Sequence, residues 1–411
     1  MTPDVAGAVA RYAQRFHATI GERHHVASPL GAWLLLALCA SASDSTTGAA
    51  LTDTLGMDPA SAAEIATTML EQGHPLVPSG TAVWHRPGAD TEPLREWYSD
   101  LPAQAHTGPL PEPALRDAWA REHSHGLIDA FPVKMTPDVV LVLAGVLATR
   151  VSWDEPFDVA PGSALGPRSA WSVRLNRVLS SPPAGHVAFI AATETAGDVI
   201  VHAARARSGA AGLSVMSVAA SPDVPSGDVL AAAHEIAPTI HDRHPALRVS
   251  LFDLPVGETA LWRIHEDQEP THAPDGHEER HRALLPCWTT SDDHDLSDPS
   301  LGFPLAARIL APLLGRTDLA FDAKQAAMAR FGRYGFEAAA VTGFATSDSE
   351  PAAGVIRTAE LRFGHPYAVV AVATDLTFDA DGGRVRGPWH GVPVFSGWVS
   401  QPEDVPDDEA A

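Results

Sequence analysis

Apolar positions along the chain follow two periods, and together they predict a mixed α and β protein. Residues 4–18 repeat apolar side chains at helical spacing, and residues 30–42, "LGAWLLLALCASA", read as a buried helix. Asp44 or Ser45 is placed to cap a further helix that ends near Gly56. A helix is predicted over 112–130 around Trp119, closed by Pro132. The stretch "VVLVLAGVLATRV", 139–151, is nearly continuous and rich in valine, which predicts a buried strand. Strand patterns recur at 187–190, 199–203, 213–219, 248–252, 283–289, 368–378 and 391–400, and a helix at 303–314 precedes Gly315. Residues 263–282 form the most polar, Pro/Gly-rich stretch and read as a connecting loop. No repeat or composition break divides the chain. A single α+β domain over 1–402 is expected, followed by an acidic, disordered tail at 403–411.

Composition narrows the function classes. With 411 residues and 45% hydrophobic content, the chain has enough apolar material for a substantial core. Its formal charge of −23, from 51 acidic and 28 basic residues, repels nucleic acid and anionic membranes, so neither is expected as a partner. Two cysteines, Cys39 and Cys287, make no disulfide framework and fit a reducing compartment. The first residues, "MTPDVAGAVARYAQRF", lack the pattern of a signal peptide, and a cytoplasmic monomer is the expectation.

One motif raises a specific chemistry. His277-Glu278-x-x-His281 matches the H-E-x-x-H pattern that holds zinc when a helix puts both imidazoles on one face. Here the pentapeptide follows "PTHAPDG" and meets Pro286 five residues later, with no third-ligand helix behind it. It reads as a solvated, charge-rich loop. No metal and no cofactor are expected.

Several separated segments resemble the serpin superfamily, and they occur in that family's order. "ASPLGAWLLLALCASASDSTTGAALTDTLGM" resembles the family's opening, and "AWAREHSHGLIDAF" its Trp-containing helical segment, through Trp119, Ser124, Gly126 and Ile128. "LVLAGVLATRVSWDEPFD" resembles the central strand that ends in Trp153, Pro156 and Phe157. "ALLPCWTTSDDHDL" is similar to a later strand. "FGHPYAVVAVATD" and "VFSGWVSQP" resemble the closing strand pair, with Phe363, Pro366, Gly397 and Pro402 in place. A divergent, bacterial member is the nearest description. The resemblance implies a large central mixed sheet with further sheets, surrounded by helices, and an exposed reactive loop near 336–361.

The same resemblance implies functional positions. The loop hinge would be Gly335, Phe336, Glu337, Ala338, Ala339 and Ala340. As a strand, Phe336, Ala338 and Ala340 would share one face and Glu337 and Ala339 the other. Phe336 stands where the family has a small hydroxyl residue, and overpacking there costs roughly 1–3 kcal/mol. Counting from Gly335 puts the scissile bond at Ser349–Glu350; counting back from Phe363 puts it near Val355, with Arg357 a further candidate. Trp153 and Ser28 match the positions that guard the sheet, whereas Gly31, Gly145 and Gln325 replace a serine, an asparagine and a histidine. The function expected is inhibition of a serine-type protease as a suicide substrate. The alternatives are a non-inhibitory fold that binds a ligand or protein, or a fold recruited as a small-molecule enzyme. No nucleophile–base spacing supports naming catalytic residues.

Overall fold

Helices begin where polar caps meet apolar runs. In the computed structural model, which describes residues 4–131, 139–149, 151–240, 247–317, 319, 321, 323–335, 352–378 and 383–409, Asp4 caps Val5–Ile20 and Ser28 caps Pro29–Cys39. Asp44 caps Ser45–Leu55 with a reciprocal bond from Thr47, and Gly56 ends that helix in the left-handed conformation, as its position after Leu55 predicts. The Pro29–Cys39 helix is buried on nearly every side. The helix around Trp119 is shorter than expected, Pro113–His123. Its end is fixed by Ser124, His125 and Gly126, the last two at positive φ, before Pro132 is reached.

Four sheets hold the strands among the described residues. An eight-stranded sheet runs in the order His25–Ala27, Pro393–Val399, Tyr367–Phe378, Ala211–Ala219, Gly197–Ser208, Val187–Thr193 and Arg248–Val249, with Arg384–Arg386 added to Tyr367–Phe378. It backs onto the core formed by Trp33, Leu36 and Phe16. A six-stranded sheet has the order Gly257–Glu258, Trp262–Thr271, Ala352–Arg362, His277–Leu285, Arg177–Ser180 and Asp158–Pro161. A three-stranded sheet joins His106–Pro109, Ser79–His85 and Leu141–Leu147, and a two-stranded one joins Trp288–Asp295 to Lys324–Phe331.

Two expectations are corrected here. The polar stretch 263–282 is not a loop: it forms most of strands Trp262–Thr271 and His277–Leu285. The strand Ala352–Arg362 lies between them, antiparallel to the first over ten residues and parallel to the second over eight. Backbone hydrogen bonds to a segment about ninety residues away supply the order that local polarity conceals. The tail also departs from the frayed ending expected of its composition. Val405 is 1% exposed, Asp404 accepts hydrogen bonds from the amides of Asn176 (2.7 Å) and Arg177 (2.8 Å), and Glu409 pairs with Arg330. Both cysteines are free and buried.

Candidate functional site

The Leu141–Leu147 and Lys324–Phe331 strands run side by side in two separate sheets. Among the described residues no ladder joins them. Three small cavities lie along the seam. The first, ≈100 Å³, is walled by 139–143 on one side and Ala323 and Lys324 on the other. The next, ≈30 Å³, lies between 143–146 and 324–326, and the third, ≈70 Å³, between Thr149 and Val151 and 328–331. Leu35 of the Pro29–Cys39 helix forms part of the floor. Trp119 and Ala120 of the overlying helix, with Ile128 and Phe131, line the middle cavity. Among the described residues, the large central sheet implied by the sequence resemblance is therefore two pieces whose facing edges have no strand partner, which is a template for a further strand.

One end of the seam is closed by a clasp. Ser152 and Gly335 form an isolated bridge, the Trp153 amide donates to the Tyr334 carbonyl (3.1 Å), and the Trp153 indole donates to the Gly332 carbonyl (3.0 Å). Trp153 is 3% exposed and packs 5.3 Å from the Phe331 ring. Gly335 closes a turn begun at Gly332, its amide donating to the Gly332 carbonyl (3.4 Å). Its φ is +81°, and a Cβ there would lie 2.4 Å from the Val151 carbonyl oxygen. Both facts demand glycine. Gly335→Ala is expected to lower stability by about 2 kcal/mol or more, read as a fall in the urea midpoint; an unchanged midpoint would show that the clasp opens freely.

The other sequence-derived positions sort by what they touch. Gln325 forms a two-point clasp with the backbone of Ser28: the Ser28 amide donates to its Oε1 and its Nε2 donates to the Ser28 carbonyl, both at 2.8 Å. The Ser28 hydroxyl donates to the Val394 carbonyl (3.0 Å) and accepts from the Gly31 amide (3.2 Å). These bonds form a polar network beneath the seam, centred on Gln325 and Ser28. Gly31 adds no side chain to it, and a Cβ on Gly145 would sit 3.2 Å from Leu35, which fills the space a larger residue would need.

Val355 and Arg357 do not lie in an exposed loop. They are within the strand Ala352–Arg362, flanked on both edges, so their peptide groups are already engaged and unavailable to a protease cleft. Arg357 donates to the carbonyls of Leu251 (2.7 Å) and Leu254 (2.9 Å), pairs with Glu266 (2.9 Å) and stacks over Phe252. The loop expected over 336–361 is a strand from 352 onward. Phe336, Glu337, Ala338, Ala339, Ala340, Ser349 and Glu350 lie outside the described residues.

His277 and His281 sit on a strand, four residues and so roughly 13 Å apart along it. That is too far for one metal ion. Glu278 is held by Thr271 (2.6 Å) and Arg280 (2.8 Å).

Sequence reasoning missed a buried histidine cluster. His17 Nδ1 meets His25 Nε2 at 2.8 Å, His17 Nε2 meets the Ser396 hydroxyl at 2.7 Å, and His294 Nε2 meets the Val26 carbonyl at 2.7 Å. Asp292 accepts from the Val26 amide (3.1 Å), tying the Trp288–Asp295 strand to His25–Ala27. Burial drives the His17 imidazole well below its ordinary range, and brings His25 and His234 down to about 4. The available signal was His17 on the buried stripe of Tyr12, Ala13 and Phe16.

No protein-family profile matches the chain, and no curated protein sequence matches it. Solved structures do. A thermophilic serpin, tengpin, in its native state superposes with a TM-score of 0.63 at 13% identity, covering 97% of this chain and 93% of that one. A cleaved structure of Serpin 42Da gives 0.63 at 13% identity, over 97% and 96% of the two chains. Human thyroxine-binding globulin, complexed with its hormone, gives 0.62 at 12% identity, over 97% and 98%. Native, cleaved and ligand-carrying structures match equally well, so the likeness establishes the fold.

Proposed function

With the serpin fold as premise, we propose that this chain inhibits a serine-type protease by drawing its own cleaved loop into the seam between Leu141–Leu147 and Lys324–Phe331. The observation that carries the reading is the pair of facing strand edges that have no partner among the described residues. The chain leaving Phe331 turns over Gly332–Gly335, so a strand continuing from there would run antiparallel to Lys324–Phe331 and enter at the Trp153 clasp. Anchorage supports the same reading. Arg357 and the two flanking strands hold the far side of the loop in the six-stranded sheet, so chain cleavage between Gly335 and Ala352 frees one end only.

The chemistry is a race. A protease serine attacks a loop carbonyl, the peptide C–N bond breaks, and the amine on the following residue departs with a proton. The new end stays linked to the protease as an ester until water attacks it. If the strand enters first, the protease is carried along and its site deformed. The Ser349–Glu350 bond remains the candidate for attack, and Phe336 the residue whose size sets the entry rate.

The test is incubation of the intact protein with serine proteases of elastase-like, trypsin-like and glutamate-specific preference. A band at the summed mass that survives SDS is the expected result. Complete cleavage within 336–351 by every enzyme, with no such band, would remove inhibition and leave the fold in a binding role.

A further inference from the structure

We propose that a second site, a cleft of ≈920 Å³ between the eight-stranded and six-stranded sheets, binds a small organic anion with an apolar body. This inference is independent of the inhibitor reading. The cleft arises from local sequence. Strand Arg177–Ser180 pairs with His277–Leu285 only at Leu284 and Leu285, and Ser181 adds one last exchange of hydrogen bonds with Ala283. Pro182 and Pro183 follow. Proline has no amide hydrogen to continue a ladder, so the chain departs there. The edge of 278–282 on that side is left without a strand partner among the described residues.

The inward face of the same strand changes character at this point. Leu285 and Ala283 are fully buried core, whereas His281 and Glu279, next on that face, are polar. Glu279 is satisfied by the Ser250 hydroxyl, the Leu251 amide (2.8 Å) and Arg248 (3.2 Å). His281 is not: its Nε2 is buried with no hydrogen-bond partner. An unmet polar group on a cleft wall marks a place where something else belongs.

Charge selects the ligand class. The carboxylates of Glu278 and Glu279 are consumed by Arg280 and Arg248. Asp158 is the third acid on the wall. Against them, Arg205 has no side-chain partner among the described residues, and Arg282 spends only its Nε, on the Ser180 hydroxyl (2.7 Å). In a chain of formal charge −23, uncommitted guanidinium groups in a concave site are an anion receptor. The prolines, Val187 and Ile240 supply apolar wall for the rest of the ligand.

The experiment titrates the intact protein with 8-anilinonaphthalene-1-sulfonate and, in parallel, with the neutral N-phenyl-1-naphthylamine, reading fluorescence. Saturable binding of the sulfonate is expected. The double variant Arg205→Glu, Arg282→Glu should weaken it by about tenfold or more while the neutral probe binds as before. His281→Phe, which fills the polar wall without altering either arginine, should weaken both probes. Absence of saturable sulfonate binding, or sulfonate binding by the charge-reversed protein equal to that of the parent, overturns the proposal. Should the double variant fail to fold, Arg205→Gln alone carries the same comparison.

Discussion

A single cut between Gly335 and Ala352 should raise the melting temperature by about 10 °C or more. The seam offers seven residues of one strand and eight of the other. An entering strand would gain roughly fifteen backbone hydrogen bonds at about 1 kcal/mol net each, offset in part by about 1–2 kcal/mol of ordering cost per residue. It would also cover Leu141, Leu143 and Leu147, which are only partly buried. A surplus of several kcal/mol corresponds to a shift of this size, at about 2 °C per kcal/mol for a large chain. The measurement is calorimetry of intact and nicked protein, with the cut located by mass spectrometry. A nicked protein that melts at the parent temperature would mean that the seam does not accept the strand, whatever its edges offer.

Acid should destabilise the protein strongly between pH 6.5 and 4. His25 and His234 are held neutral by burial with values near 4, against about 6.5 in an unfolded chain. Burial drives His17 and His202 lower still. The sign follows from proton counting. Above pH 6.5 both states are neutral at these rings and nothing changes. Below it the unfolded chain binds protons that the folded one refuses, so stability falls as pH falls; the loss from His25 and His234 levels off near pH 4, and that from His17 and His202 at lower pH. At pH 5 His25 and His234 cost about 2 kcal/mol each, and with the other two rings the total lowers the melting point by on the order of 10 °C. At His25 the hydrogen bond to the Arg23 carbonyl and the Asp292 charge oppose the depression, His294 and the Arg23 charge reinforce it, and burial outweighs them all. Urea midpoints at pH 7.5 and 5 test this, and His234→Leu should recover about 2 kcal/mol of the difference. Equal midpoints at both values would mean that the cluster is hydrated.

The parts of the fold legible in sequence are those whose cause is local. Asp44 and Gly56 frame a helix because a cap and a left-handed terminus are each a property of one residue and its neighbours. The valine run at 139–151 reads as a strand because its side chains alone select it. The resemblance gave Gly335 as a loop hinge and Trp153 as a guard of the sheet; in the fold Ser152 bridges Gly335 and the Trp153 amide donates to Tyr334. The strands within 263–282 were illegible because only Trp262, Ile264 and Thr271 of the first are buried, so no alternation marks it. Arg357 was mistaken for bait for the same reason: its partners, Leu251, Leu254 and Glu266, lie about a hundred residues away.

Sequence alone determined the α+β class, most helices, the absence of a disulfide framework and the order of segments that matches serpins. Tertiary structure decided the rest: that among the described residues no strand joins Leu141–Leu147 to Lys324–Phe331, that Gln325 clasps the backbone of Ser28, that residues from 352 onward form a strand, and that seven histidines are buried. The division has one physical cause. Caps, turns and side-chain periods act across a few residues, whereas strand pairing and burial depend on neighbours that only the folded chain supplies.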